Sequence, residues 1–71
     1  MDPNELWQSF YPNGQLISKG KYKNQTEHGP WEFYFPNGNK MVKINYINGK
    51  PNGIYEKYNS AGIIIEIKFN I

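Results

Sequence analysis

The sequence predicts an all-β fold, an antiparallel meander of three β-hairpin repeats forming one twisted, open single sheet. Three observations lead there. The chain repeats itself every 24 residues: Trp7, Trp31 and Tyr55 are evenly spaced, and so are Phe10, Tyr34 and Tyr58, and Gly14, Gly38 and Gly62. A turn signal, Pro12-Asn13-Gly14, recurs unchanged as Pro36-Asn37-Gly38, each time directly after aromatic residues. No apolar period of about 3.6 residues survives across the glycines and prolines, which argues against helix.

Within each repeat the pattern is strand, tight turn, strand. Aromatic and β-branched runs near 6–11, 16–22, 31–35, 40–47, 54–58 and 63–70 are bounded by Gly/Pro/Asn clusters. Proline presets φ at the first turn position, and Asn and Gly tolerate the left-handed conformation that follows. The third turn is degraded to Ser60-Ala61-Gly62, as terminal repeats often are. Between repeats, "KNQTEHGP" and "INGKPNGI" read as longer turns ending in glycine. The units are about 7–30, 31–54 and 55–71, within one domain spanning 1–71.

Register decides which side chains meet, because a slip of one residue exchanges the two faces. A four-residue loop sets Tyr11 opposite Leu16 and Phe35 opposite Lys40. It then pairs Trp31 with Ile44, Glu32 with Lys43, Phe33 with Val42 and Lys57 with Glu66. A three-residue loop would set Trp31 against Lys43 and Glu32 against Val42, losing the favourable cross-strand pairs. The four-residue register is therefore expected.

That register makes two unequal faces. The broad one carries Trp7, Tyr11, Leu16, Tyr22, Trp31, Phe33, Phe35, Val42, Ile44, Tyr46 and Tyr55, with Gly20 opposite Trp7 to leave room for its indole. The other carries a narrower apolar column of Phe10 and Ile17, Tyr34 and Met41, Tyr58 and Ile65, flanked by Gln8, Lys19, Glu32, Lys43 and Glu56. With no helix to cover either face, the crowded aromatics of "WEFYF" serve both.

Composition narrows the functional classes. The chain has 71 residues, enough for one domain with a modest core. It has no cysteine, which excludes disulfides and thiolate metal sites, and its one histidine, His28, cannot build an imidazole cluster. The opening "MDPNELWQSF" has an acid at Asp2, no basic start and no apolar run, so no signal peptide is expected. No stretch approaches the ~20 apolar residues of a membrane span. The expected location is the cytoplasm.

The segment "YPNGQLISKGKYKNQTEHGPWEFYFPNG" resembles the MORN-variant repeat, as found in proteins labelled YwqK-type antitoxins. The matching features are the aromatic pair before Asn-Gly, the leucine two residues after that glycine, and the Tyr-x-Asn step. His28-Gly29 two residues before Trp31, and Asn52-Gly53 before Tyr55, complete the pattern. The resemblance covers about residues 7 to 62. Gln25 departs from it where glycine is usual, although Gly49 keeps the glycine one repeat later, and Asn70 stands where Tyr22 and Tyr46 lead one to expect an aromatic. The resemblance implies a run of antiparallel hairpins and a scaffold or binding role.

Four functions can be weighed on the residues. For an enzyme, the five glutamates are scattered, and Glu32 and Glu66 face lysines in ordinary sheet pairs; nucleophile, base and oxyanion donors cannot be assembled, so no catalytic residue and no cofactor is expected. For nucleic acid, lysines 19, 21, 23, 40 and 43 lie among aromatics, but a net charge of +2 without arginine argues against it. For a membrane surface, neither a polybasic cluster nor an amphipathic helix is present. Protein binding remains, with Phe10, Ile17, Tyr34, Met41, Tyr58 and Ile65 as the partner-binding residues. The partner is a protein target, with an inhibitor or antitoxin-like role, or else a second copy in a structural homo-oligomer. No small-molecule substrate is expected.

Overall fold

In the computed structural model, residues 4–69 are described; the readings made of residues 1–3, of Asn70 and of the end of the last predicted strand lie outside them. Seven strands form: β1 (Asn4–Phe10), β2 (Leu16–Lys23), β3 (Thr26–Glu27), β4 (Gly29–Tyr34), β5 (Lys40–Ile47), β6 (Lys50–Tyr58) and β7 (Ile64–Lys68). All join one antiparallel sheet in the order β1-β2-β4-β5-β6-β7, with β3 paired to β2. The open meander of hairpin repeats is as expected. Its extents are 37 × 33 × 9 Å, a single layer, and among the described residues no second sheet or helix packs on either face.

The turn within each hairpin differs from expectation in an instructive way. Tyr11 N–H donates to the Gln15 carbonyl (2.7 Å) and Gly14 N–H to the Tyr11 carbonyl (2.9 Å), which closes a three-residue loop. Gly14, Gly38 and Gly62 hold φ of +87°, +91° and +86°, the left-handed position such a loop requires. A bulge then resets the register, since Phe10 pairs with Leu16 while Ser9 pairs with Ser18, leaving Ile17 as the extra residue. Met41 and Ile65 are the extra residues in the next two units. Tyr11 opposite Leu16 and Phe35 opposite Lys40 are thus corrected: Leu16 pairs with Phe10 and Lys40 with Tyr34. Beyond the bulge the expected pairs stand, with Trp31 on Ile44, Glu32 on Lys43, Phe33 on Val42 and Lys57 on Glu66.

Between repeats the chain makes hairpins rather than longer turns. Asn24 and Gln25 have φ of 52° and 68°, and Asn48 and Gly49 have 52° and 81°. Two successive positive φ values are the signature of a two-residue turn, flanked here by the pairs Lys23–Thr26 and Ile47–Lys50. The strand after each turn is irregular where Gly29 and Gly53 adopt φ near +90°, at 86° and 90°. That break separates β3 from β4, and within β6 it interrupts the register opposite Ile44 to Tyr46.

The core sits on the Trp face and is small. Trp31 (3% exposed) and Ile44 (7%) are the buried apolar side chains among the described residues, joined by Ser18, whose hydroxyl meets that of Ser9. Trp31 packs edge-on to Tyr22 at 5.1 Å and to Tyr46 at 6.3 Å, and stacks on Phe33 at 6.2 Å. Its Nε1–H donates to the Lys21 carbonyl at 3.1 Å. The space at Gly20 is filled by a different indole from the one expected. Gly20 does pair with Trp7, but a Cβ there would lie inside the Trp31 ring, and Trp7 remains 45% exposed at the sheet edge.

Candidate protein interface

Opposite the Trp face, the bulges shape the apolar column. Phe10 faces both Leu16 and Ile17, Tyr34 faces Lys40 and Met41, and Tyr58 faces Ile64 and Ile65. Of the six residues expected to bind a partner, Phe10 (55%) and Ile65 (56%) are exposed, and Ile17, Tyr34, Met41 and Tyr58 are half-buried. The bulge also recruits a residue that strand alternation alone would have left out. Lys40 reaches the Glu32 carboxylate at 2.7 Å, so the acid's ion pair goes to Lys40 rather than to its register partner Lys43. Glu66 likewise lies 4.0 Å from Lys68 on its own strand instead of pairing with Lys57.

Electrostatics follow from this cluster. The Lys40 ammonium, hydrogen-bonded to Glu32, holds that carboxyl below its ordinary value, and the same bond raises Lys40. Burial, and then the nearby Glu32 charge, push the Tyr34 phenol up. Tyr58, whose hydroxyl donates to Glu56 at 3.2 Å, is raised by the same kinds of influence, burial first.

Beside the column runs a continuous row of cross-strand partners: Gln8, Lys19, Glu32, Lys43, Glu56 and Ile67. Its charges alternate in sign across the sheet, so no like pair is adjacent. Next to the row lie two shallow grooves of about 350 and 370 Å³. Leu6, Gln8, Lys19, Lys21, Pro30 and Glu32 line the first; Pro30, Lys43, Asn45, Asn52, Ile54 and Glu56 line the second. They are the same groove displaced by one repeat, with Pro30 as the shared wall. Leu6, Pro30 and Ile54 occupy one repeat position, and that common 24-residue step was the available signal for them.

His28 sits at the break between β3 and β4, its N–H donating to the Lys21 carbonyl, and its Nδ1 has no hydrogen-bond partner. Among the described residues, no group of three or more His, Cys, Asp or Glu side chains is placed to hold a metal ion. No helix there is long and apolar enough to cross a membrane.

A single-layer sheet of hairpins stepping by 24 residues, with its chemistry spread along the repeat rather than gathered in one cleft, defines a repeat protein that offers surfaces. The family description "MORN repeat variant" matches residues 6–24 and 27–48, more than half of the chain, and the chain belongs to that family. The two matches are successive copies of the repeat, with residues 25–26 between them. They end before the third hairpin, so the resemblance seen over residues 7–62 is carried by the first two units. No curated protein and no solved structure matches the chain significantly. Repeats of this family are, in general, non-enzymatic modules for interaction with proteins or membranes.

Proposed function

We propose that this chain is a small protein-binding module that works in the cytoplasm, and that its target docks on the face carrying Phe10, Ile17, Tyr34, Met41, Tyr58 and Ile65. One observation carries the reading. An apolar column stands beside a row of alternating charges on a face that no element among the described residues covers. Apolar anchors inside a polar rim are the anatomy of a protein interface, and the fixed order of charges gives a partner its register. An inhibitor or antitoxin-like role is the specific form of this proposal, since such a role needs an occluding surface and no catalytic group. The absence of arginine and of a polybasic cluster favours a protein over an anionic lipid or a nucleic acid.

The test is affinity capture from the native lysate, followed by titration of the purified partner against wild type and a Tyr34→Ser, Met41→Ser variant. The variant should keep the wild-type circular dichroism and bind at least about tenfold more weakly, as loss of interface anchors does. Equal affinity in a folded variant would remove this face from the interface.

A further inference from the structure

We infer that the two open edges of the sheet, β1 and β7, are complementary to each other and join copies of this chain head to tail. The first observation is where exposed apolar surface lies. Of the ten large hydrophobic residues exposed among those described, eight are on β1 or on β7 and its immediate flanks. On β1, Leu6 is 75% exposed and Phe10 55%; at the other edge Ile65, Ile67 and Phe69 are 56%, 47% and 64% exposed. Every residue of β7 is exposed, and neither edge strand contains a proline to block pairing.

The second observation is the register of the seams between repeats. Ser18 pairs with Phe33 and Lys19 with Glu32; one repeat later Val42 pairs with Lys57 and Lys43 with Glu56. The next step places Glu66 and Ile67 of β7 at the seam. Their partners would be the residues at the repeat positions of Phe33 and Glu32, which in a second copy are Ser9 and Gln8. Strand alternation then sets Ile65 against Phe10, Lys68 against Trp7, and Phe69 against Leu6.

The side chains at this seam fit. Ile65 with Phe10 and Phe69 with Leu6 are apolar pairs that bury exposed positions of both edges. Between them, Ile67 and the neutral Gln8 stand where the internal seams carry Lys19–Glu32 and Lys43–Glu56, so no charge is buried unpaired. On the other face Lys68 already lies over the Tyr55 ring at 5.8 Å, and Trp7 would close over its far side. Because the two edges differ, each added copy presents a fresh β7, and the assembly grows beyond a dimer unless it closes into a ring.

The test uses the absence of cysteine from the chain. Directly opposed residues of an antiparallel pair have Cα atoms about 4.5–5.5 Å apart, within disulfide range. Ser9→Cys and Glu66→Cys proteins, mixed and oxidised, should give cross-linked heterodimer over either homodimer by about tenfold, as heterologous pairing requires. Sedimentation of the wild type should show species above dimer that increase with concentration, and Ile67→Lys should return it to monomer with unchanged circular dichroism. Three results would overturn the inference: wild type monomeric at high concentration, cross-linking of Glu66→Cys chiefly to itself (β7 on β7), or a heteromer only with a different protein. Phe10 and Ile65 of the target face take part in this contact, whereas Tyr34 and Met41 lie on the inner strands β4 and β5, so a Tyr34→Ser, Met41→Ser variant should assemble as wild type does.

Discussion

Replacing Gly20 with alanine tests the packing at the centre of the sheet. The added Cβ would fall within the Trp31 indole, so the ring must move. Moving it forfeits the Nε1–H···O=C bond to Lys21, worth about 0.5–1.5 kcal/mol net. It also disturbs the edge-on contacts with Tyr22 and Tyr46, each contributing roughly 0.5–1.5 kcal/mol beyond burial. Alanine recovers about 0.5–1 kcal/mol by relieving the entropic cost of glycine in a strand. The net expectation is destabilisation of about 1.5–3 kcal/mol, in the usual range for overpacking. A chain of this size has roughly 4–10 kcal/mol in all, so the effect is large. Urea unfolding followed by circular dichroism reads it as a lower midpoint at unchanged slope. In a Trp31→Leu background the same Gly20→Ala change should cost nothing or stabilise slightly, because the obstructing ring is gone. A wild-type loss below about 0.5 kcal/mol, or an equal loss in both backgrounds, would refute the packing argument.

Trp31→Ala should cost on the order of 3 kcal/mol, as large-to-small changes in a core do, read from the same urea melts. Gln25→Gly should stabilise by about 0.5–1 kcal/mol by relieving a left-handed side-chain residue where the next repeat has Gly49; a lower urea midpoint would count against the turn assignment. Glu32 is depressed in the folded state, so its contribution is complete above the ordinary glutamate range, about 4.3, and is lost as pH falls below it. Lys40 is raised, so its share of the same ion pair is complete below the ordinary lysine value and fades as pH climbs through the raised one. Glu32→Gln should flatten the acid arm of a melting-temperature profile; an unchanged arm would show that the ion pair is screened out.

The period and the body register were legible because both depend on side-chain pattern. Trp31 on Ile44 and Glu32 on Lys43 follow from which residues profit from meeting. What escaped was backbone geometry that two loop lengths can satisfy at once. Three-residue and four-residue loops looked like alternatives, whereas a three-residue loop with one extra residue two steps later gives the turn of one and the register of the other. No apolar pattern marks that bulge, since Ile17, Met41 and Ile65 read as ordinary strand residues. Missing it also hid the Lys40–Glu32 ion pair, which exists only because the bulge sets Lys40 against Tyr34. Similarly, the sequence pattern sets Gly20 against Trp7 across one hairpin, while its neighbour across the seam to the next repeat, Trp31, fills the space. The two indoles compete for one gap, and the inner one has partners on both sides.

The third turn bears on how the repeat ends. Its loss of Asn at position 61 looked like decay, yet Asn59 replaces the aromatic found at Tyr11 and Phe35 and restores the missing bond from the other end of the loop. In the first two turns Asn13 and Asn37 accept from the N–H groups of Gln15 and Asn39, both at 2.9 Å. In the third, the Asn59 side chain accepts from Ala61 and Ile63 at 2.9 and 3.1 Å, and the loop geometry is unchanged. The amides of Asn13 and Asn37 also donate to the next turn, at Pro36 and Ser60, and Ala61 has no amide to donate onward. Ala61 thus offers the ladder no side-chain donor, and among the described residues β7 has no strand on its outer side and is exposed throughout. Any contact at that edge must draw its specificity from the strand, where Ile65, Ile67 and Phe69 project, and the loop contributes only its shape.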